Sequence, residues 1–563
     1  MNVFALAKVS LICIAISAGS GSYAARIRGF DSLVPLAAYV LLFASLLACV
    51  LLTAWILHGF TRWTLAALIG ASFAFCDAYF KAMGEALTYT NFLVLLHTYQ
   101  FAGDAFAQFG SYIQISALKG ALLAVGIGLP PKHRVFRTQL LPCSASLIAV
   151  IVLSGILYLR GGYGASGLHG SYVVPAYGAL YAYEWLTNEV GERKGVEIAR
   201  SMLDARHDIV FLIDESIRAD YLDINSDYGV RSGLAEAPAG WTVLNYGVAA
   251  AITNCSLYTN ITLRYGGTRD DYIRINGTRP SIFQYAKHAG WRTVYIDGQL
   301  TGGSLQNGMD ADELQFIDSF VQFDGVSVRE RDMRIAETLV DLINDDVWDF
   351  VLVNKVGAHF PVHDKYPDEL RIYTPTLERG RFEDVAHTGR RDGFSGTAAD
   401  WERYRNSYRN TLVWSVGRFF DTLLAGIEND RAVILYTSDH GQELHENGSP
   451  GLHTHCRQEA ASMEEGAVPL VVLLGPRAAR LGLPNARHGN YNRASHYNIF
   501  PTLLLMLGYD RQASTDFYGP SLADATEDPM TFNVRFDLRL GAEPKWRRID
   551  VEQLARPPAG EGH

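Results

Sequence analysis

The sequence predicts a two-part chain: an N-terminal helical membrane domain of about five spans, followed by a soluble α/β/α sandwich. Three observations predict it. Long apolar runs with few charges crowd residues 3–159, each near the roughly 20 residues that cross a bilayer as helix. Short β-rich runs then alternate with helical stretches, as they do where a mostly parallel sheet is covered by helices on both faces. At 563 residues the chain is also too long for one ordinary core.

The first span is Val3 to Ser20. Its "ISAGSGSYAA" resembles the small-residue cleavage site of a secretory signal, but further spans follow and retention is expected. The others are Leu33 to Leu57, Leu65 to Phe80, Tyr112 to Leu129 and Leu140 to Leu159. Between the third and fourth, the mixed apolar and polar stretch from Phe80 to Tyr112 reads as an interfacial helix. The loop "PPKHRVFR", residues 130–137, is the most basic short connection. The positive-inside rule places it in the cytoplasm, against the weaker pull of Arg26 and Arg28. Everything after the fifth span then lies outside the cytoplasm.

Residues 161–206 open with the Gly- and Tyr-rich "GGYGASGLHGSY" and read as a linker at the membrane surface with an interfacial helix. The sandwich occupies 207–540 and a tail 541–563. Its strands are "DIVFLID" from Asp208, "RTVYID" from Arg292, "DFVLVN" from Asp349, "AVILYTS" from Ala432 and "PLVVLLG" from Pro469. Runs this apolar suit strands buried on both faces.

A formal charge of -10 and the lack of a Lys/Arg-rich tract after the spans exclude nucleic acid as a partner. Of six cysteines, Cys13, Cys49, Cys76 and Cys143 lie in or beside the spans, leaving Cys255 and Cys456 in the soluble part. In an oxidising outer compartment these two can pair; two unpaired thiols are the alternative.

Ligands of such sheets bind beyond the carboxyl ends of the strands. Asp214-Glu215-Ser216 follows "DIVFLI", Asp439-His440-Gly441 follows "AVILYTS", and His359 follows "DFVLVN". A carboxylate from one strand end with an Asp and a His from another makes a zinc-like ligand set with one position open. The stretch "TNCSLYTNITLR" offers Cys255, Ser256, Thr259 and Thr262 as nucleophiles. Residue type alone does not choose among them, because activation comes from partners elsewhere in the fold.

With these residues in view, the chain resembles the alkaline phosphatase/sulfatase superfamily, and within it the membrane-anchored phosphoethanolamine transferases of lipid A and envelope glycans. "DESIRAD" looks like the family's Gly-Glu-Ser-x-Arg-Ala segment, and "SDHGQELHENG" like its Ser-Asp-His-Gly-Glu segment. "GAHFPVHDKYP", "GLHTH" and "SHYNIFPTLLLMLG" are similar to later family segments. The resemblance implies Glu215, Asp439 and His440 as ligands of zinc: one tight ion, a second being left open, ahead of manganese. The family's nucleophilic Thr stands four residues after a Cys, which implies Thr259 as both nucleophile and fourth ligand. His359 and His453 are implied as catalytic and substrate-binding groups that hold the transferred phosphoryl group or a second zinc. "CSLYT" lacks the Pro and Arg of a sulfatase nucleophile segment, so Cys255 is not expected in that role. The family's head-group readers are missing: with Thr98 aligned to one of them, Val94 and Ala102 take the other two places, and Gly298 and Gly303 stand near the soluble-domain pair.

The expected activity is therefore transfer of a phospho head group, phosphoethanolamine from phosphatidylethanolamine, through a phosphothreonine to an envelope glycolipid such as lipid A. The protein is expected to be a monomer in a bacterial inner membrane with its catalytic domain in the periplasm. The alternatives are a phosphodiesterase or phosphoglycerol-type transferase on the same centre, and a non-enzymatic lipid-binding membrane protein.

Overall fold

The computed structural model describes residues 3–556 apart from 31, 100–101, 132–135, 137, 188–191, 202–206, 236–238, 380–393, 395, 430, 449–451 and 537–542. Most of the basic loop 130–137 lies outside the described residues, as do the expected sandwich end at 540 and residues 541–542 and 557–563 of the tail. The chain forms two compact units, one of residues 1–189 with 451–453 and 537–543, the other of the remainder.

In the helical unit, α1 is Val3–Ser17, α2 Ser20–Arg28, α3 Leu33–Thr53, α4 Gly59–Met83, α5 Tyr89–His97, α6 Ala102–Gly128, α7 Leu140–Leu159 and α8 Val173–Thr187. Among the described residues, α3, α4, residues 109–128 of α6, and α7 are each long and apolar enough to cross a membrane. The bent pair α1 and α2 makes up to five such spans if counted as one. The seam between α4 and α6 depends on Gly70 and Gly120. A Cβ built on either would strike the other's carbonyl oxygen, so only glycine lets the two backbones meet.

Two expectations change here. The stretch read as one interfacial helix, Phe80 to Tyr112, is divided between α4, α5 and α6, and α5 buries Tyr89, Asn91, Phe92 and Leu93. The stretch read as linker packs into the helical unit through α8, which buries Val173, Ala176, Tyr177, Leu180 and Glu184 while exposing Trp185 and Leu186. Its apolar spacing of three and four residues covers one face of a helix.

The second unit is built on a seven-stranded sheet in the order β2-β7-β6-β1-β5-β3-β4. Its strands are β1 Ile209–Asp214, β2 Thr242–Ala250, β3 Arg292–Asp297, β4 Ser319–Gln322, β5 Asp349–Asn354, β6 Val433–Ser438 and β7 Ala467–Leu474. β6, β1, β5, β3 and β4 run parallel, whereas β7 is antiparallel to both β6 and β2. All five expected strands are present. β2 and β4 were not anticipated, because β2 carries Asn245 and Gly247 within it and β4 is only four residues long.

Every residue of β1, β5 and β6 is buried. On one face Val210, Leu212, Val351 and Ile434 join Ile335, Leu339, Tyr404 and Phe420 in one core. On the other, Phe350 meets Phe283 edge to face at 5.9 Å. Each fully buried aliphatic side chain contributes roughly 1.5–3 kcal/mol. That burial fixes the register β1-β5 and β1-β6, and so the relative positions of the residues that follow these strands.

Candidate active site

Three strand ends converge. Beyond β1 come Glu215 and Ser216, beyond β6 come Asp439 and His440, and beyond β5 come Gly357 and His359. Asp214, the last residue of β1, ties the ends together. Its Oδ2 accepts from Lys355 Nζ at 2.8 Å and from Tyr436 Oη at 3.1 Å, its Oδ1 from Glu215 N at 3.1 Å, and its carbonyl from Asp439 N at 2.9 Å. The Lys355–Asp214 pair is fully buried, so removing either partner would strand a charge in the core. Gly357 has φ 53°, and a Cβ there would come within 2.7 Å of the Glu215 backbone N and O. Only glycine lets the β5 end approach the β1 end this closely.

Ser216 adopts a left-handed conformation at φ 62°, which costs of order 1–3 kcal/mol for a residue with a Cβ. Local bonds hold it there: its N–H donates to Asp439 Oδ1 at 3.0 Å and its hydroxyl to Glu215 Oε1 at 2.9 Å. Gln299, two residues past β3, donates to Glu215 Oε2 at 3.2 Å and to the Lys355 carbonyl at 2.9 Å. Glu215 is thus oriented from two sides.

Glu215, Asp439 and His440, all buried, offer ligand atoms within 4.8 Å of one another. His440 Nδ1 lies 2.6 Å from the Gly441 carbonyl, which as an acceptor makes Nδ1 the protonated nitrogen and turns the lone pair of Nε2 inward. Nε2 is 3.6 Å from Glu215 Oε1 and 3.5 Å from Asp439 Oδ2. Asp439 Oδ2 is buried without a hydrogen-bond partner. Burial pushes Asp439 up to about 6; burial first, and then the charge of Asp439, pushes Glu215 up. Burial also pushes His440 down. Two strained carboxylates, an orphaned oxygen and an inward lone pair fit a divalent cation.

The hydroxyl beside this triad is that of Ser256. Its Oγ lies 3.0 Å from His440 Nε2, 3.4 Å from Glu215 Oε2 and 3.5 Å from Oε1. Helix α9, Ser256–Tyr265, has Cys255 as its N-cap, so Ser256 opens the helix at the end where free N–H groups and the helix dipole favour anions. Thr259, expected at this place, is instead fully buried and gives its hydroxyl to the Thr253 carbonyl at 3.2 Å. Three residues along α9 are about 4.5 Å of rise, which sets Thr259 back from the triad, on the same side as Ser256 but within the buried part of the helix.

Cys255 and Cys456 form a disulfide with their Cα atoms 5.0 Å apart. The same two segments are joined by the Cys456 N–H to the Asn254 carbonyl at 3.0 Å. Asn254 Nδ2 adds bonds to the Arg457 carbonyl at 2.7 Å and Glu465 Oε2 at 2.6 Å.

His359 acts electrostatically on both Glu215 and His440, and its Nδ1 is 2.6 Å from the Phe360 carbonyl. Burial pushes it down to about 4, so it is neutral until an anion joins it. His453 falls in the stretch 451–453 that groups with the helical unit. From the same loop, the ring of His455 stacks on His440 at 4.3 Å. Sequence reasoning missed His455 and Gln299. Both had a signal: His455 stands two residues after His453 in "LHTH", and Gln299 shares the carboxyl edge of the sheet with the other site residues. Thr98, aligned with a head-group reader, gives its hydroxyl to the Val94 carbonyl at 2.8 Å.

Residues 207–509 match the family model described as Sulfatase. Among solved structures, the chain is similar to the integral membrane protein lipooligosaccharide phosphoethanolamine transferase A from Neisseria meningitidis. That likeness has 16% identity, 82% of this chain covered and 88% of that one, and a TM-score of 0.58. It is also similar to the C-terminal periplasmic domain of EptC from Escherichia coli in complex with Zn, at 16% identity, covering 66% of this chain and 99% of that one, with a TM-score of 0.49. No curated protein matches the chain.

Proposed function

The chain belongs to the sulfatase family, and from that premise we propose that it transfers a phospho head group from a membrane phospholipid to an envelope glycolipid through a phosphoserine at Ser256. The donor is phosphatidylethanolamine and the acceptor lipid A or a core sugar. The observation that carries the reading is the Ser256 hydroxyl 3.0 Å from His440 Nε2 and beside Glu215, on a chain that also has membrane-spanning helices.

A zinc ion held by Glu215, Asp439 and His440 would favour the deprotonated Ser256 hydroxyl and offset charge on the phosphoryl oxygens. The remaining work falls to the chain's own groups. Ser256 Oγ attacks the phosphorus of the donor phosphodiester, the bond to the diacylglycerol oxygen breaks, and diacylglycerol leaves with a proton. The N-terminal N–H groups of α9 face the charge on the phosphoryl oxygens. His359, neutral in the free site, gains a proton when an anion sits beside it and hands that proton to the leaving oxygen. In the second half the acceptor hydroxyl attacks the phosphoserine, and Ser256 recovers its proton. His455 shapes the wall opposite, stacked on His440.

The Cys255–Cys456 bridge supports an oxidising compartment for this unit, hence the periplasm, with the helices in a bacterial inner membrane and the protein a monomer. Mass spectrometry of envelope lipids from cells with and without the protein tests the reading. The expected result is a phosphoethanolamine-bearing glycolipid and an increase in diacylglycerol that both depend on Ser256. A phosphoglycerol adduct would move the assignment to the phosphoglycerol-type transferase, and free head group without adduct to a phosphodiesterase.

A further inference from the structure

The turn that carries His359 is held by a buried charge that takes no direct part in the transfer. Asp332 lies on the helix Val328–Ile343, in the same buried stripe as Val328, Ile335, Ala336 and Leu339. Ile335, Ala336 and Leu339 of that stripe pack into the core with residues of β1, β3 and β5, where an apolar side chain is the ordinary occupant. Asp332 is only 3% exposed.

Its carboxylate has no cation. Among the described residues no basic side chain pairs with it: Oδ1 accepts from the Val356 N–H at 2.8 Å and Oδ2 from the Gly357 N–H at 3.1 Å. A buried charge without a counter-ion is costly, and here two backbone N–H groups are what offsets it. Successive N–H groups of a turn form a concavity that suits an anion, and Gly357 at φ 53° supplies the left-handed step.

The flanking N–H groups are taken as well. Lys355 N donates to the Ile213 carbonyl at 3.0 Å and Ala358 N to the Glu215 carbonyl at 2.9 Å. Residues 355–358 are thus bonded at every N–H, the outer two to the end of β1 and its following residue, the middle two to Asp332. His359 comes next, and its own N–H returns to the Val356 carbonyl at 3.4 Å. Its Nδ1 faces the Phe360 carbonyl at 2.6 Å, which as an acceptor leaves Nε2 as the nitrogen that gains and gives up a proton. Where Nε2 stands depends on a backbone that β1 and Asp332 fix together.

We propose that Asp332 is a positioning residue for the proton donor: it holds the turn at 356–357 so that His359 Nε2 meets the leaving oxygen. This rests on the reaction proposed above. In its first half Ser256 Oγ forms a bond to phosphorus, and the bond from phosphorus to the glycerol oxygen breaks with its electron pair passing to that oxygen. The proton on His359 Nε2 moves to the same oxygen. A misplacement of about 1 Å costs such a step up to about 100-fold.

The test compares two donors on the full-length protein in detergent. Phosphatidylethanolamine has an alkoxide leaving group that needs the proton; the p-nitrophenyl diester of phosphoethanolamine has one that departs as an anion. Release of diacylglycerol and of p-nitrophenolate both report the first half-reaction, and the ratio of the two rates is insensitive to a loss of folded or metal-loaded enzyme. His359→Ala should lower the ratio of lipid to nitrophenyl turnover by about 100-fold or more. Asp332→Asn keeps the side-chain shape but sets an N–H donor against the turn, and should lower the ratio by about tenfold or more. Asp332→Ser drops the charge without that clash; it should shift the ratio in the same direction, and it carries the test if Asp332→Asn is not recovered folded. A ratio unchanged in the Asp332 variants but lowered in His359→Ala overturns this inference and leaves the proposed reaction standing. A ratio unchanged in His359→Ala removes the proton donor, and no turnover of either donor by the wild type removes the reaction; each takes this inference with it. Failure of both Asp332 variants to fold would assign the residue to the fold alone and overturn it too.

Discussion

Ser256→Ala and Thr259→Val together put the assignment of the nucleophile at risk. Ser256 Oγ has the triad's atoms at 3.0 to 3.5 Å, so its removal deletes the covalent step. Loss of such a nucleophile should lower turnover by at least about 10⁴-fold, equivalent to about 5 kcal/mol of barrier. Thr259→Val keeps the side-chain shape and removes one hydrogen bond, Oγ1 to the Thr253 carbonyl at 3.2 Å. A net hydrogen bond is worth about 1 kcal/mol, which would lower the melting temperature by a few degrees and leave turnover within about threefold. Ser256→Thr should retain part of the activity because it keeps a hydroxyl at the helix start. The assay is head-group release from phosphatidylethanolamine, paired with peptide mapping of the enzyme trapped without acceptor. Phosphate on a peptide at Thr259, or near-normal turnover in Ser256→Ala, would refute the reasoning and restore the family's Thr position.

Three further outcomes follow from the same geometry. Reducing the Cys255–Cys456 bridge opens a loop of 201 residues, for which chain entropy gives about 5 kcal/mol; a large, reductant-dependent fall in melting temperature is expected, and melting curves that coincide with and without reductant would contradict it. Elemental analysis should find one divalent ion per chain in the wild type, none in Asp439→Asn, and an affinity weakened about tenfold or more in Gln299→Ala, since partners that orient a ligand carry that much; metal content indifferent to both changes would remove Glu215, Asp439 and His440 as the centre. Burial pushes Asp208 up to about 7, so its contribution to stability is complete below its unfolded value near 4 and is lost as pH rises through about 7; Asp208→Asn should flatten that loss in urea titrations, and identical pH profiles would count against it.

The parallel core strands were legible because their sequences are unbroken apolar runs bounded by polar residues. A strand buried on both faces leaves no other composition open to "IVFLID" or "VILYTS". The site residues that follow those strands were legible for the same reason: once a strand's end is known, topology dictates that Glu215 and Asp439-His440 share one edge. The membrane spans were equally visible, α7 to the residue, since a bilayer sets both composition and length. β2 was not, because an interior Gly and Asn disguise it; neither was the antiparallel direction of β7, which no run of apolar residues encodes.

The sequence offered several hydroxyls between residues 256 and 262, and the family resemblance pointed to Thr259; residue type and order alone did not show which lies beside Glu215, Asp439 and His440. Ser256 and Thr259 are chemically equivalent in the sequence. The tertiary structure separates them by placing the helix start at Ser256, anchoring Cys255 to Cys456 and Asn254 to Glu465, and setting Thr259 back in the buried part of the helix. The same holds for Lys119 of α6, which reads alone as a polar residue in an apolar run; only the crossing of α4 and α6 at Gly70 and Gly120 brings it onto Asp77. Periodicity and composition are local properties of a chain. Which of several like groups meets a partner dozens or hundreds of residues away is decided by packing, and packing is a property of the whole fold.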